Sequence, residues 1–197
     1  MKNIVLSICL GILFISNTHS QELEEFNASR LKHNQNSMLV LGGWAAANIL
    51  VSPVLMNNST GSEHYFHEMN LYWNLVNLGI AIPGYLNAKK GDISIGLRQT
   101  IEEQYKGEKI YLFNSALDIT YVVTGLYLTE QSDNVDNQKL KDRFTGYGNS
   151  LVLQGAFLFV FDITHVLLQR KQHKELDSIL DNLSLTTKNG IGLSYRF

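Results

Sequence analysis

Two carboxylates and one histidine lie inside long apolar segments, and these three side chains are the residues best suited to do chemistry. Asp118 lies within residues 109–129, and Asp162 and His165 lie three residues apart within residues 150–168. Carboxylate and imidazole groups together can ligate a metal ion or relay protons. An ionisable group in an apolar helix costs about 2.5–3.5 kcal/mol on insertion scales, so ordinary packing rarely requires two of them.

Amide and hydroxyl side chains recur on the same helix faces as these groups. In two of the apolar segments, polar residues are spaced i, i+4 and i+7, which places them on one helix face. Such a face is poorly tolerated by lipid and must meet protein or water. We therefore predict a polar interior in which amide, phenol and carboxyl groups hydrogen-bond to one another. Its predicted members are Asn70, Asn74, Asn77, Asn114, Asp118, Tyr121, Gln154, Asp162 and His165.

Two interpretations of this polar interior remain open. In the first, its members only hydrogen-bond between helices and thereby specify which helices pair. In the second, Asp118, Asp162 and His165 form a site for a metal ion or a b-type haem. The histidines that could add a ligand are His33, His64 and His67. No pair has a spacing as specific as two histidines that flank a glutamate on one helix, so we favour the first interpretation and expect no cofactor.

Four apolar segments, at residues 37–56, 68–86, 109–129 and 150–168, determine the predicted fold. About 20 predominantly apolar residues are enough to span a bilayer as a helix. The chain is therefore predicted to be all-α, a four-helix transmembrane-type bundle.

Two connecting regions complete the predicted fold. Ile93, Leu97, Ile101 and Tyr105 recur every four residues among charged neighbours. This spacing predicts an amphipathic connecting helix at the membrane interface, with a short strand as the alternative. Residues 191–197 alternate apolar with small or polar side chains, which predicts a short extended C-terminal tail.

The N-terminus has the pattern of a secretory signal peptide. Lys2 supplies the positive start, residues 4–15 form a short apolar core, and Ser20 is a suitable last residue before cleavage. An uncleaved anchor helix is the alternative. Cys9 is the only cysteine, and cleavage would remove it. A cleaved chain could then form no disulfide, thiolate metal site or cysteine nucleophile.

The predicted organisation is a signal peptide at residues 1–20, a helical membrane bundle at 21–183 and an extended tail at 184–197.

Export by a signal peptide conflicts, however, with the distribution of basic residues. Four spans would leave twelve Lys and Arg residues outside and three inside, whereas the positive-inside rule predicts the opposite. Either the Asn-rich second segment does not cross, or the protein is not in an energised inner membrane. The predicted location is a membrane of the bacterial cell envelope, inner or outer.

Composition and motifs narrow the function classes. The net charge of −2 comes without a basic stripe with interleaved aromatic residues, so a nucleic-acid partner is not expected. The chain has no glycine-rich phosphate loop, nucleophile elbow or zinc-protease motif. The favoured function is a structural or accessory protein without enzymatic activity, with lipid and a second copy or another envelope protein as partners. The alternatives are a membrane oxidoreductase that binds a cofactor or metal, and a small transporter or channel component.

A resemblance to a known family rests on three stretches of the chain, residues 70–79, 113–128 and 153–165. The residues that carry it are Trp73, Asn74, Asn77, Asn114, Asp118, Tyr121, Gln154, Gly155, Phe157 and Asp162. In these residues the chain resembles an uncharacterised family of short bacterial envelope proteins with four apolar helices. The resemblance implies the helical fold and the envelope location, and it implies no activity.

Overall fold

Four long helices form the bundle. The computed structural model describes the backbone of residues 2–181, 183–186 and 192–195, and the side chains of residues 21–180. The helices are α1 (Lys2–Asn58), α2 (Gly61–Lys90), α3 (Leu97–Gln131) and α4 (Gln138–Asp181). A short 3₁₀ helix, Ser132–Asn134, follows α3. Strands β1 (Leu183–Thr186) and β2 (Gly192–Tyr195) pair antiparallel, with Leu183 opposite Tyr195.

Short turns make successive helices antiparallel. Gly61 begins α2 with a φ of 61°, a left-handed conformation that residues with a Cβ rarely adopt. Between α2 and α3, Asp92 accepts hydrogen bonds from the backbone N–H of Ser94 at 2.8 Å and from its hydroxyl at 2.7 Å. Such turns suit short polar side chains. The bundle therefore has an α1–α2 loop end and an α2–α3 loop end.

The helices pack unevenly around the bundle. α1 packs along α2, α3 along α4, and α2 against α4, whereas α2 and α3 hardly touch. Glycines allow the α3–α4 backbones to approach closely. A Cβ on Gly125 would lie 2.5 Å from the carbonyl oxygen of Gly148, and one on Gly155 would lie 2.9 Å from that of Asp118. α3 is thus held by α4, and a gap is left on its α2 side.

The predicted amphipathic connecting helix is wrong, because its residues belong to α3. Only residues 91–96 are non-helical between α2 and α3, and no proline interrupts the chain from Leu97 onward. None of the predicted apolar stripe is buried, since Ile93 and Tyr105 are exposed and Leu97 and Ile101 are half-buried. Thr100 and Gln104 are fully buried instead. A polar stripe, not the apolar one, attaches this part of α3 to the bundle.

The other predicted boundaries compare with the structure as follows. Residue 20, the predicted end of the signal peptide, lies within α1, which is continuous from Lys2 to Asn58. The side chains of residues 1–20 lie outside the described part of the chain. At the C-terminus, residues of the predicted tail form most of β1 and all of β2.

A small apolar core lies at the centre of the bundle. Leu41, Ala81, Tyr111, Leu158, Phe161 and Val166 form one cluster, with Trp73 and Phe157 packed against it. Within the described residues, two helical stretches are long and apolar enough to cross a membrane, Gln21–Asn58 and Gln138–Leu180. This assignment rests on length and composition.

Candidate functional site: a polar interior and a lateral cleft

The interior of the bundle is mainly polar. Among the described side chains, nineteen buried residues are polar or charged and eleven are hydrophobic. Soluble proteins show the reverse preference, and their buried polar groups are few. The apolar residues of this chain lie outside: Leu50, Phe113 and Val160 are 74%, 65% and 63% exposed. Polar groups, rather than apolar ones, therefore determine how the helices meet.

One set of buried polar residues is closed on itself. Asn70 Oδ1 accepts hydrogen bonds from Ser150 Oγ at 2.7 Å and from Gln154 Nε2 at 2.9 Å. Trp44 Nε1 donates to Gln154 Oε1 at 2.9 Å. We call Trp44, Asn70, Ser150 and Gln154 the closed network. It links α1, α2 and α4 and uses both the donor and the acceptor of the Gln154 amide.

Two carboxyl groups meet on facing helices. Asp118 of α3 and Asp162 of α4 are both buried, and their side chains are hydrogen-bonded to each other. Two carboxyl groups can share a hydrogen bond only when one of them carries the proton. Asp118 Oδ2 is buried, and no described side chain outside the pair donates a hydrogen bond to either carboxyl group. This pair therefore has an unused acceptor, unlike the closed network.

His165 lies in an aromatic cluster next to this pair. Its Nδ1 lies 2.7 Å from the backbone oxygen of Phe161. Its ring stacks on Tyr111 at a centroid distance of 5.0 Å and lies 5.3 Å from the ring of His33. Among residues 21–180, no group of three or more His, Cys, Asp or Glu residues is placed to hold a metal ion.

A second polar layer lies at the α2–α3 loop end of the bundle, and sequence reasoning missed it. Asn27 Nδ2 donates to Thr100 Oγ1 at 2.9 Å, and Gln104 Nε2 donates to Gln169 Oε1 at 2.8 Å. All four side chains are buried. The available signal was the spacing of Thr100 and Gln104, four residues apart and therefore on one helix face. The apolar stripe of the same helix obscured it.

A cleft of about 670 Å³ occupies the gap between α2 and α3. Its inner wall carries Asp118 and Asp162, and its outer rim includes Val76, Ile80 and Ile110, which are 60%, 56% and 48% exposed. This volume falls within the range of about 300–1,000 Å³ typical of small-molecule sites. The cleft is therefore large enough for a ligand and opens sideways, between two helices.

Three residues that line this cleft each have a buried polar side-chain atom without a hydrogen-bond partner outside the carboxyl pair, within the described part of the chain. These atoms are Asp118 Oδ2, Trp73 Nε1 and Arg30 Nε. Trp73 packs edge-to-face on Tyr121 at a centroid distance of 4.7 Å, one helix turn from Asp118. Buried polar groups are nearly always bonded, so three unused groups around one cleft call for an explanation.

At the mouth of the cleft, Asp92 belongs to the turn between α2 and α3. The hydroxyl of Ser94, and then its backbone N–H, lower the pKa of Asp92 below its ordinary value because both donate to the charged carboxylate. This turn therefore keeps a fixed negative charge at the entrance.

The structure places the nine predicted interior residues in three groups. Asn70 and Gln154 belong to the closed network, and Asn74 lies beside it, donating to the backbone oxygen of Asn70. His165 lies in the aromatic cluster. Those that line the cleft are Asn77, Asn114, Asp118, Tyr121 and Asp162. The residues are all buried except Asn114 and Tyr121, which are half-buried.

A family model matches residues 40–163, which is more than half of the chain. The chain belongs to DUF6992, a family of unknown function. The matched region begins within α1 and ends just after Asp162, so it contains the closed network and the carboxyl pair. Arg30, His165 and two members of the second polar layer, Asn27 and Gln169, lie outside it, whereas Thr100 and Gln104 lie inside it. No curated protein and no solved structure matches the chain.

Proposed function

We propose that this protein is an integral membrane protein whose four helices all cross a bilayer, with a structural or accessory rather than enzymatic role. The observation that supports this proposal is the exposed apolar band around a polar interior. A bilayer reverses the usual arrangement, since lipid tails solvate apolar side chains while polar groups find partners inside.

The apolar band is present on every helix at similar length. Its exposed large hydrophobic residues run along α1 from 39 to 55, along α2 from 72 to 86, along α3 from 110 to 127 and along α4 from 153 to 168. At 1.5 Å per residue each stretch is about 21–26 Å long. A hydrocarbon core is about 30 Å thick, so four bands of matching length fit one membrane.

The inward-facing polar residues explain why α2 and α3 are not among the two stretches that satisfy a hydropathy criterion. Mean hydropathy averages both faces of a helix. In α2, Asn70, Asn74 and Asn77 lower the average although all three are buried. In α3, Ser115 and Asp118 do the same. Lipid contacts only the outer face, and that face is apolar on all four helices.

Exposed tyrosines lie near the edges of this band. Tyr72 and Tyr127 are 52% and 58% exposed towards the α1–α2 loop end, and Tyr105 is 43% exposed towards the opposite end. Tyrosine is enriched at membrane–water interfaces, where its ring meets apolar chains and its hydroxyl meets water. These positions support a membrane boundary at each end of the band.

The structural role is supported by the closed network. Its amide, hydroxyl and indole groups bond to one another across three helices, and interhelical hydrogen bonds of this kind fix helix pairing. Lipid is the partner that the apolar band requires, and a second copy or another membrane protein could share it. We retain the cell envelope as the proposed location.

Alkaline carbonate extraction of membranes tests the central proposal. We expect the protein to remain in the membrane pellet, together with a known integral protein, while a peripheral marker is released. Recovery of folded protein in the carbonate supernatant would overturn the proposal. The apolar character of the two helical stretches would then be explained by their burial in a soluble fold.

Labelling of single cysteines tests how many helices cross and in which orientation. Cys9 is replaced by Ser, and single cysteines are introduced in the α1–α2 turn at Ser59 and in the α2–α3 turn at Ser94. We expect a membrane-impermeant maleimide to label only one of the two from a given side, since α2 crosses between them. Labelling of both from the same side would remove α2 as a span. The labelled side also decides between signal-peptide export and the positive-inside rule.

A further inference from the structure

The cleft between α2 and α3 is the feature that the proposed structural role leaves unexplained. The chain packs the other faces of these helices closely, yet leaves about 670 Å³ open beside the carboxyl pair. If the four helices span a bilayer, as proposed above, the apolar rim of this cleft faces lipid. A molecule dissolved in the bilayer could then enter sideways without passing through water.

The unused polar atoms indicate the head group of such a molecule. Asp118 Oδ2 has no donor among the described residues outside the carboxyl pair, and Trp73 Nε1 is a donor without an acceptor. Both residues line the cleft. A hydroxyl group supplies a donor and an acceptor from one oxygen. One hydroxyl could therefore bond to both atoms. Without such a partner, each buried unpaired atom costs free energy of folding.

Other head groups fit these atoms less well. An ammonium group has no acceptor for the Trp73 N–H, and a ketone has no donor for Asp118 Oδ2. An ionised carboxylate or phosphate would meet Asp118 and Asp162 together with Glu103 and Asp92, against Arg30 as the one cation that lines the described cleft. Like charges in a low-dielectric site repel strongly. The lining thus favours an uncharged head group with a hydroxyl.

From this geometry we propose that the cleft binds an uncharged single-chain alcohol from the bilayer. Its hydroxyl lies between Asp118 and Trp73, and its apolar chain leaves between α2 and α3 past Val76, Ile80 and Ile110. The inference rests on the proposed membrane location and adds a ligand class to it. Binding, rather than any reaction, is what the residues support.

Fluorescence of Trp73 tests this proposal directly. The chain has two tryptophans, so Trp44→Phe leaves Trp73 as the only reporter, in the cleft. The protein is placed in phosphatidylcholine nanodiscs and titrated with 1-dodecanol, dodecylamine, dodecanoate or dodecane at equal mole fractions. We expect a saturable emission shift with 1-dodecanol, because the indole N–H gains an acceptor, and only weak linear changes with the others.

Variants locate the binding. Asp118→Leu in the same background should raise the half-saturating mole fraction of 1-dodecanol about tenfold, as expected for one buried hydrogen bond. Asp136→Leu, a matched change of an exposed Asp that does not line the cleft, should leave it unchanged. If Asp118→Leu does not fold, Trp73→Phe provides the second test. It should reduce the increase in thermal midpoint that 1-dodecanol gives the wild-type protein.

Each outcome is decisive for the proposal. Preferential saturation by dodecylamine would overturn the hydroxyl assignment. Equal and linear responses to all four compounds would show that bulk lipid merely fills the cleft, which overturns the site. Carbonate extraction, measured separately, distinguishes the two proposals. A protein that stays in the membrane but shows no saturable response contradicts only the ligand proposal, whereas an extractable protein contradicts the membrane location itself.

Discussion

The closed network and the cleft use the same residue types to opposite effect. In the closed network, Gln154 has hydrogen bonds to both ends of its amide, and Asn70 accepts two. In the cleft, Trp73 has a buried N–H without an acceptor, and Asp118 has no hydrogen-bond partner other than Asp162 among the described residues. Both regions are buried parts of one bundle. Burial and polarity alone therefore do not distinguish a structural contact from a candidate site.

Helix packing causes this difference. α2 meets α4 directly, so side chains from the two helices reach each other and saturate. α2 and α3 make few backbone contacts, so a polar group that faces the gap, such as Trp73 Nε1, finds no hydrogen-bond partner across it. Satisfied polar networks stabilise and specify a fold, whereas unsatisfied buried groups are costly and call for a functional reason. Substitutions in the closed network should therefore change stability, and substitutions in the cleft should change ligand binding.

The largest effect is expected where α3 and α4 approach most closely. Gly125→Val should destabilise the bundle by about 3 kcal/mol, the upper part of the usual range for overpacking. The reason is that the new Cβ would meet the backbone oxygen of Gly148 at 2.5 Å, and backbone moves less easily than a side chain. Denaturant titration followed by circular dichroism in detergent measures the loss.

Gly43→Val is the matched control for this substitution. A Cβ at Gly43 would meet nothing within 4 Å, so the change should alter stability by less than about 1 kcal/mol. Equal losses of stability for the two valine variants would show that the close approach of α3 and α4 does not stabilise the bundle.

Removal of the central acceptor of the closed network should have the next largest effect. Asn70→Leu leaves Ser150 Oγ and Gln154 Nε2 without the acceptor that they share. Unpaired buried donors cost about 1–3 kcal/mol, so we expect a loss of about 2 kcal/mol with no change in 1-dodecanol binding. Asn57→Leu, at an exposed position near the end of α1, is the control. A variant that keeps its stability but loses dodecanol binding would reverse the roles of the two regions.

In the cleft the same kind of substitution should cost much less. Asp118→Leu removes one bond to Asp162 but also removes a buried carboxyl group that has no other hydrogen-bond partner among the described residues. Interhelical hydrogen bonds in membranes average about 0.6 kcal/mol, so the expected change is about 1 kcal/mol or less, of either sign. The unfolding free energies of Asp118→Leu and Asn70→Leu are compared in one detergent. A larger loss for Asp118→Leu would place the carboxyl pair among the structural contacts.

Local spacing predicts shared faces for polar residues of α2 and α3, but it missed the buried Thr100 and Gln104. The i, i+4, i+7 pattern in α2 and α3 identified polar faces, because helix geometry alone places such residues on one side. Residues 118–120 and 162–164 share the sequence Asp-Ile-Thr, and their two aspartates meet in the structure. Family membership follows from residues 40–163 and carries no activity.

Features that depend on how the helices are placed could not be predicted from residue spacing within one helix. The cleft exists because α3 packs on α4 rather than on α2, and no residue pattern within either helix encodes that choice. The first turns of α3 were assigned to a separate interfacial helix because an apolar stripe normally marks the packed face. In this bundle no residue of the stripe is buried, and the buried Thr100 and Gln104 make the contacts, as the proposed membrane location predicts.

The smallest effect is expected at the turn that closes the cleft mouth. Ser94→Ala removes the hydroxyl that donates to Asp92, the first of the causes that lower the pKa of this exposed carboxyl. The backbone N–H of residue 94 remains, so the pKa of Asp92 should rise only part of the way to its ordinary value. A carboxyl with a lowered folded pKa contributes stability above its unfolded pKa, and this contribution is lost as the pH falls through the folded pKa. Wild type should therefore be slightly more stable than Ser94→Ala at neutral pH, and the difference should vanish in acid.

Carboxyl chemical shifts of Asp92 across a pH titration measure the pKa, and Asp136, an exposed Asp of the α3–α4 connection, provides the reference. An unchanged pKa in Ser94→Ala would show that the hydroxyl does not fix this turn, and the charge at the cleft mouth would then depend on the backbone alone.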